Sequence, residues 1–344
     1  MLLASACGGT TTPTPPPPPP VEDAPKITCP AAQSRQLTTG TSIAVTYPAP
    51  TTVGGRAPVA IVCTPASGSL FTVGLSTVTC IATDALQRTD PCAFAVTVLA
   101  VPKLTTTTFL AFGDSITWGE DGRNSATATI ARFGPRVQLP PAQTYPGLLL
   151  QDLTGRYTTQ TSAVLVDNGG NPGEAITNPS SSDGPNAVTR FGNLLPGHGA
   201  VLIMEGTNDL QKAHSASSAA AAEDILARAA AGLRTMVLMA KASGVRPLLA
   251  TLPPMNPTGT RGQLFGWELV AGFNERIATV ASLEQVPLVD VNKAFAGNLS
   301  LLGFDGVHPT PDGYKVIADT FFTAIRSNLE STASSVTAAS FRRR

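Results

Sequence analysis

Four short runs in this chain carry residue types suited to acyl transfer. They are Gly113-Asp114-Ser115, Asn168-Gly169-Gly170-Asn171-Pro172-Gly173, Gly206-Thr207-Asn208-Asp209 and Asp305-Gly306-Val307-His308-Pro309. Ser115 is the candidate nucleophile, since a serine hydroxyl attacks a carbonyl only when a base takes its proton. His308 is the candidate base, one of 3 histidines. His198 lies in a Gly/Pro loop and His214 in a polar stretch, and both are expected to be exposed bystanders. Asp305 precedes His308 by three residues. One turn of chain can therefore bring carboxylate to imidazole, fix its tautomer and stabilise the imidazolium that forms. The oxyanion formed on attack needs donors already in place. Glycines, which let a backbone approach closely, and an asparagine amide are suitable sources. Asp114 is read as orienting its loop rather than reacting. The GxSxG elbow of another hydrolase fold is absent from the sequence.

These runs need elements to hold them. Short apolar runs at 109–112, 163–166, 200–204, 247–252 and 287–291 read as buried strands. A helix is expected over 217–242, with Leu226, Ala230, Leu233, Val237 and Ala240 on its apolar stripe and Gly244 and Pro247 stopping it. A last helix should start at Pro311, capped by Thr310, and bury Ile317, Phe321, Ile325 and Leu329. Alternating strands and helices predict an α/β fold with a mainly parallel sheet covered on both faces. The first three runs then fall just past the carboxyl ends of strands, where open α/β sheets bind ligands. Trp118 either walls an acyl pocket or packs the core. The long polar loop between Gly119 and Tyr145 would shape specificity.

In order and content, the four runs resemble the SGNH (GDSL-type) hydrolase family. The resemblance implies a flavodoxin-like parallel sheet sandwiched by helices over residues 103–332. It implies a serine esterase that uses Ser115, His308 and Asp305 and needs no metal or cofactor. It also implies three oxyanion donors: the backbone N–H groups of Ser115 and Gly170, and the Asn208 amide. The open, shallow site usual in this family favours small acyl groups. Acetyl esters of carbohydrates are the expected substrates, with lipid esters as the alternative. A reading of another class is a catalytically silent adhesive or carbohydrate-binding lipoprotein.

The first hundred residues differ in kind. Cys29, Cys63, Cys80 and Cys92 fall in one short stretch, with no CxxC pair or histidine nearby. They read as two disulfides in an oxidising compartment, with three pairings open. Short β-type runs at 42–47, 59–63, 76–82 and 93–99 predict a small all-β sandwich over 26–102. Phe94, Val96 and Val98 should share one face. The segment from Cys63 through Cys92 to Val96 resembles the HYR (hyalin repeat) domain, an immunoglobulin-like extracellular module. Residues 1–25 form a leader and a Thr/Pro linker ending in six prolines, which favours an extended stalk. Leu3-Ala4-Ser5-Ala6-Cys7 resembles the end of a bacterial lipoprotein signal, with Cys7 as the lipidation site. Most of the apolar part of such a leader is missing, so the start is expected upstream of Met1. The protein is thus expected to be secreted or attached to the cell envelope through a lipid on Cys7. Residues 333–344, ending in three arginines, read as a frayed tail. Zero net charge and 13% charged residues give no electrostatic case for a nucleic-acid partner.

Overall fold

The computed structural model describes residues 22–123, 136–178 and 186–331. Cys7, the Thr/Pro linker, residues 124–135 of the long loop and the basic tail lie outside the described residues. Contacts divide the chain into two units between Ala100 and Val101.

The first unit is strand-rich. Its elements are β1 (Lys26–Thr28), β2 (Gln33–Gln36), β3 (Ser42–Ala44), β4 (Thr51–Val53), β5 (Ala60–Thr64), β6 (Leu70–Thr72), β7 (Gly74–Thr83) and β8 (Thr89–Leu99). Four of them form a sheet in the order β2-β8-β7-β5, while β1 pairs with β4 and β3 with β6. Alternation buries Val78, Cys80 and Ala82 of β7 and Phe94, Val96 and Val98 of β8. Tyr47 meets Phe94 edge-on, with ring centroids 4.9 Å apart. The cysteines pair as Cys29–Cys92 and Cys63–Cys80. Cys63 and Cys80 face one another directly across β5 and β7.

The second unit begins with β9 (Lys103–Leu104), followed by β10 (Thr108–Gly113), α1 (Ser115–Trp118), α2 (Tyr145–Arg156), β11 (Leu165–Gly170), α3 (Ala187–Leu194), β12 (Ala200–Met204) and α4 (Thr207–His214). It continues through α5 (Ala219–Ala242), β13 (Arg246–Ala250), α6 (Val270–Leu283), β14 (Leu288–Val289), α7 (Val291–Ala294), α8 (Pro311–Leu329) and β15 (Glu330–Ser331). Five strands form a parallel sheet in the order β11-β10-β12-β13-β14. That is the flavodoxin-like order, whose direction of winding reverses between β10 and β12. The central strand β12 is wholly apolar and buried throughout, as a strand covered by helices on both faces must be. α8 starts at Pro311 with the Thr310 side chain accepting the Gly313 N–H, and it buries Ile317, Phe321, Ile325 and Leu329.

The second motif departs from expectation. β11 does not stop before Asn168 but runs on to Gly170, which pairs with Gly113. The reason is its place at the sheet edge. Solvent accepts Asp167 and Asn168 there while the backbone ladder continues. β14 is shorter than the predicted run, because Asp290 leaves the ladder to cap α7 by accepting the Lys293 N–H.

Candidate active site

The ends of β10 and β12 deliver the first and third motifs to the point where the sheet winding reverses, with the second motif beside them on β11. Asp114 caps α1, and its Oδ1 accepts the Ile116 N–H at 2.8 Å. That cap sets Ser115 as the first helical residue, so its own N–H has no partner within the helix. Gly113 is required for the approach, since a Cβ there would lie 2.2 Å from the Met204 carbonyl. Arg190 ties the motifs together: it donates to the carbonyls of Gly169 (2.7 Å) and Gly113 (3.2 Å) and pairs with Glu174. Asp209 accepts the Ile176 and Thr177 N–H groups at 2.8 and 3.0 Å, fastening the loop after β11 to α4.

The fourth motif arrives from the turn before α8. Asp305 Oδ1 accepts the Val307 and His308 N–H groups, both at 2.9 Å. Its Oδ2 lies 2.5 Å from His308 Nδ1. A carboxylate only accepts, so Nδ1 carries the proton and Nε2 is left as an acceptor. Ser115 Oγ lies 2.8 Å from that Nε2. Burial by itself would raise the Asp305 pKa, but the imidazole and the two N–H groups outweigh it and hold the carboxyl below its ordinary range. Ser115 and His308 are both buried, which strengthens their interactions relative to water.

The expected oxyanion donors divide. Asn208 lines a cavity of about 260 Å³ together with Ser115 and His308. One of its two amide hydrogens goes to the Glu174 carbonyl at 2.7 Å, which leaves the other. Gly170 is not in that wall. Its N–H donates to Asn168 Oδ1 at 3.0 Å, and its α-carbon presses on the Trp118 backbone, where a Cβ would come within 2.1 Å of the nitrogen. The glycine brought to the cavity is Gly173, three residues on, at φ 81° in the left-handed region. Trp118 is half-buried and outside the cavity wall; its carbonyl accepts from Gln138 (2.7 Å) and Asn168 (3.3 Å). His198 is half-buried rather than exposed, held between the Leu194 carbonyl and Asp167. His214 pairs with Glu268.

Other residues at the site carry no motif in the sequence. Glu120 is buried, and its two oxygens accept from Arg136 (3.1 Å) and Arg261 (3.0 Å). Its Oε2 stands 3.5 Å from His308 Nε2. Glu120, Asp305 and His308 thus place three metal-type donor atoms close together. Two guanidiniums already occupy Glu120, and the imidazole and two amides occupy Asp305, so the trio reads as a compensated ion-pair network.

Another buried acid lies beneath. Both Glu205 oxygens, Asp114 Oδ2 and Thr207 Oγ1 are buried with no hydrogen-bond partner among the described residues. Burial, reinforced by the charges of Asp114, Glu174 and Asp209, pushes the Glu205 pKa well above its ordinary value of 4.5. The folded chain therefore keeps a proton that the unfolded chain releases above that pH. The resulting stabilisation is complete below the unfolded pKa and declines as pH rises toward the folded one. Glu205→Gln should remove this decline. Its unfolding midpoint, followed by circular dichroism, should gain on the parent by a few degrees between about pH 5 and pH 8. A pH-independent gap would refute the protonated state.

Residues 111–316 match the model of the GDSL-like lipase/acylhydrolase family, and residues 22–98 match the HYR domain. Among solved structures, an aryl esterase of M. smegmatis is 21% identical, with a TM-score of 0.51 and coverage of 64% of this chain and 99% of its own. A carbohydrate acetylesterase from Sinorhizobium meliloti is 18% identical, with a TM-score of 0.50 and coverage of 64% and 98%. No curated protein matches. The structural likenesses carry the fold, and the family match spans more than half of the chain. The chain therefore belongs to the GDSL-like lipase/acylhydrolase family and is a carboxylic ester hydrolase with a HYR domain ahead of its catalytic unit.

Proposed function

We propose that the protein is an extracellular serine esterase that removes small acyl groups, acetyl foremost, from carbohydrates through an acyl-enzyme. The observation that carries this reading is the continuous chain Ser115 Oγ, His308 Nε2, His308 Nδ1, Asp305 Oδ2, with contacts of 2.8 and 2.5 Å. Ser115 Oγ attacks the ester carbonyl while Nε2 takes its proton. The oxyanion is received by the Ser115 and Gly173 N–H groups and the Asn208 amide. As the C–O bond breaks, Nε2 returns the proton to the leaving alcohol. Water then repeats the sequence on the acyl-enzyme, releasing the acid and restoring Ser115.

A cavity of about 260 Å³ with Arg136, Gln211 and Arg261 in its wall suits a small acyl group and a polar alcohol. The carbohydrate acetylesterase of similar fold accords with that substrate class. Two disulfides in the HYR unit favour an oxidising compartment, and a lipid on Cys7 would hold the chain at the cell envelope. A second reading, hydrolysis of lipid esters, draws on the exposed Leu264, Trp267 and Phe304 in the loops beside Arg261 and Asp305.

The test combines a fluorophosphonate with a panel of esters. Peptide mass analysis should find the adduct on Ser115. Acetylated sugars and short acyl chains should be cleaved in preference to long ones. A folded protein without the adduct would end the esterase mechanism, and a preference for long chains would favour the lipid reading.

A further inference from the structure

We propose that the site selects esters whose alcohol carries a carboxylate close to the scissile bond, received by Arg136 and Arg261. This deepens the serine-esterase reading and rests on it.

The cavity wall around Ser115 contains two arginines and no carboxylate. The chain as a whole is only 13% charged, so two cations in one small cavity call for a reason. Each guanidinium spends Nη1 on one oxygen of Glu120. Among the described residues neither has another side-chain hydrogen bond, and a guanidinium has five donors. Arg261 also stands 4.0 Å from Asp305 Oδ2. Glu120 and Asp305 balance the two positive charges in number but not in position. The carboxylates are turned inward, at 5% and 13% exposed, while Arg136 is 38% and Arg261 17% exposed. The positive ends therefore face the substrate space. Glu120 acts as an anchor that holds both forks in place, which lowers the entropy cost of receiving an anion.

The position of this anchor also says which half of the ester is read. Glu120 Oε2 lies 3.5 Å from His308 Nε2, the nitrogen that must protonate the leaving oxygen. The arginines gripping Glu120 thus flank the alcohol. A planar carboxylate on a sugar ring, as in a hexuronic acid, matches the flat two-donor edge of a guanidinium.

The experiment compares kcat/KM of the full-length protein for an acetylated hexuronic acid and for the same acetylated hexose, alike but for the carboxylate. The acidic ester should be preferred roughly tenfold or more. The preference should shrink as salt is raised, because charge recognition at a partly open site is screened. Arg136→Gln and Arg261→Gln should each cut the ratio several-fold, with Arg261→Lys in between, since it keeps the charge but loses the fork. The ratio is what matters, so a general loss of efficiency does not imitate the effect. A parent ratio of one or below overturns the proposal, as does an unchanged ratio in both glutamine variants shown to be folded by circular dichroism. If Ser115 takes up fluorophosphonate but neither sugar ester is cleaved, the substrate class falls and the esterase stands. Loss of both labelling and cleavage removes the esterase reading as well.

Discussion

Ser115→Ala is expected to lower kcat for a small ester by about 10⁴–10⁶-fold while leaving the fold intact. The fold should survive because Ser115 supports α1 with its backbone. The cap comes from Asp114, and the Gly119 and Glu120 N–H groups bond to the Ser115 carbonyl, which alanine retains. What disappears is the oxygen 2.8 Å from His308 Nε2 and with it the covalent path. The remaining turnover would come from water activated by His308 within the oxyanion donors. Steady-state assays on acetyl esters give the rate, and a melting curve checks the fold. A folded alanine variant with more than a hundredth of parental kcat would mean that the acyl group is not transferred to Ser115.

Asp305→Asn is expected to cost about 10⁴ in kcat, for a different reason. The asparagine carbonyl can still accept the Val307 and His308 N–H groups that Oδ1 now accepts at 2.9 Å, so the turn before α8 should hold. Its NH₂ would then face Nδ1 in place of the Oδ2 acceptor. A donor at that point turns Nδ1 into the acceptor and puts the proton on Nε2. The imidazole would then meet the Ser115 hydroxyl with the wrong nitrogen and could not take its proton. Asp305→Ala loses the two turn bonds as well, so it should also lower the unfolding midpoint, which separates tautomer control from loop support. An asparagine variant within tenfold of the parent would show that Asp305 serves the turn alone.

Much of this site was legible in the chain because its parts are local. The Asp305–His308 pair needs one turn, and the Asp114 cap spans two residues. Pro311 after Thr310 marks the start of α8 without reference to the rest of the protein. Strands β10 and β12 are continuous apolar runs and end where their motifs begin. The second motif resisted because its strand sits at a sheet edge, where polar residues continue the ladder and hide its end. With β11 running through Gly170, that glycine is spent on packing against Trp118, and Gly173 reaches the cavity. Glu120, Arg136 and Arg261 could not be found by pattern. Glu120 and Arg136 stand 16 residues apart in one loop and Arg261 comes from another, and only the tertiary fold gives them a common center. Glu205 left a weak sign, a lone acid directly after the buried run of β12. The cysteines limited the pairing to three choices, and strand register does not decide among them, because Cys80 stands opposite both Cys63 and Cys92; the fold joins Cys63 to Cys80 and Cys29 to Cys92.

The catalytic unit is fastened where its chain enters and leaves. β9 and β15 pair antiparallel, Leu104 opposite Glu330 and Lys103 opposite Ser331. Arg156 grips Glu330 with two nitrogens at 2.7 and 2.9 Å, and the Tyr157 hydroxyl adds a third contact at 2.7 Å. The unit is therefore a closed cassette with its entry and exit side by side. Such a body can be spliced behind another module, inserted into a surface loop of a host protein or circularly permuted with a short bridge, without laying bare a sheet edge or moving Ser115. The same closure makes Glu330 a costly place to trim. A truncation before it would unfasten β9, the first strand of the cassette, from the far side of the molecule's sequence.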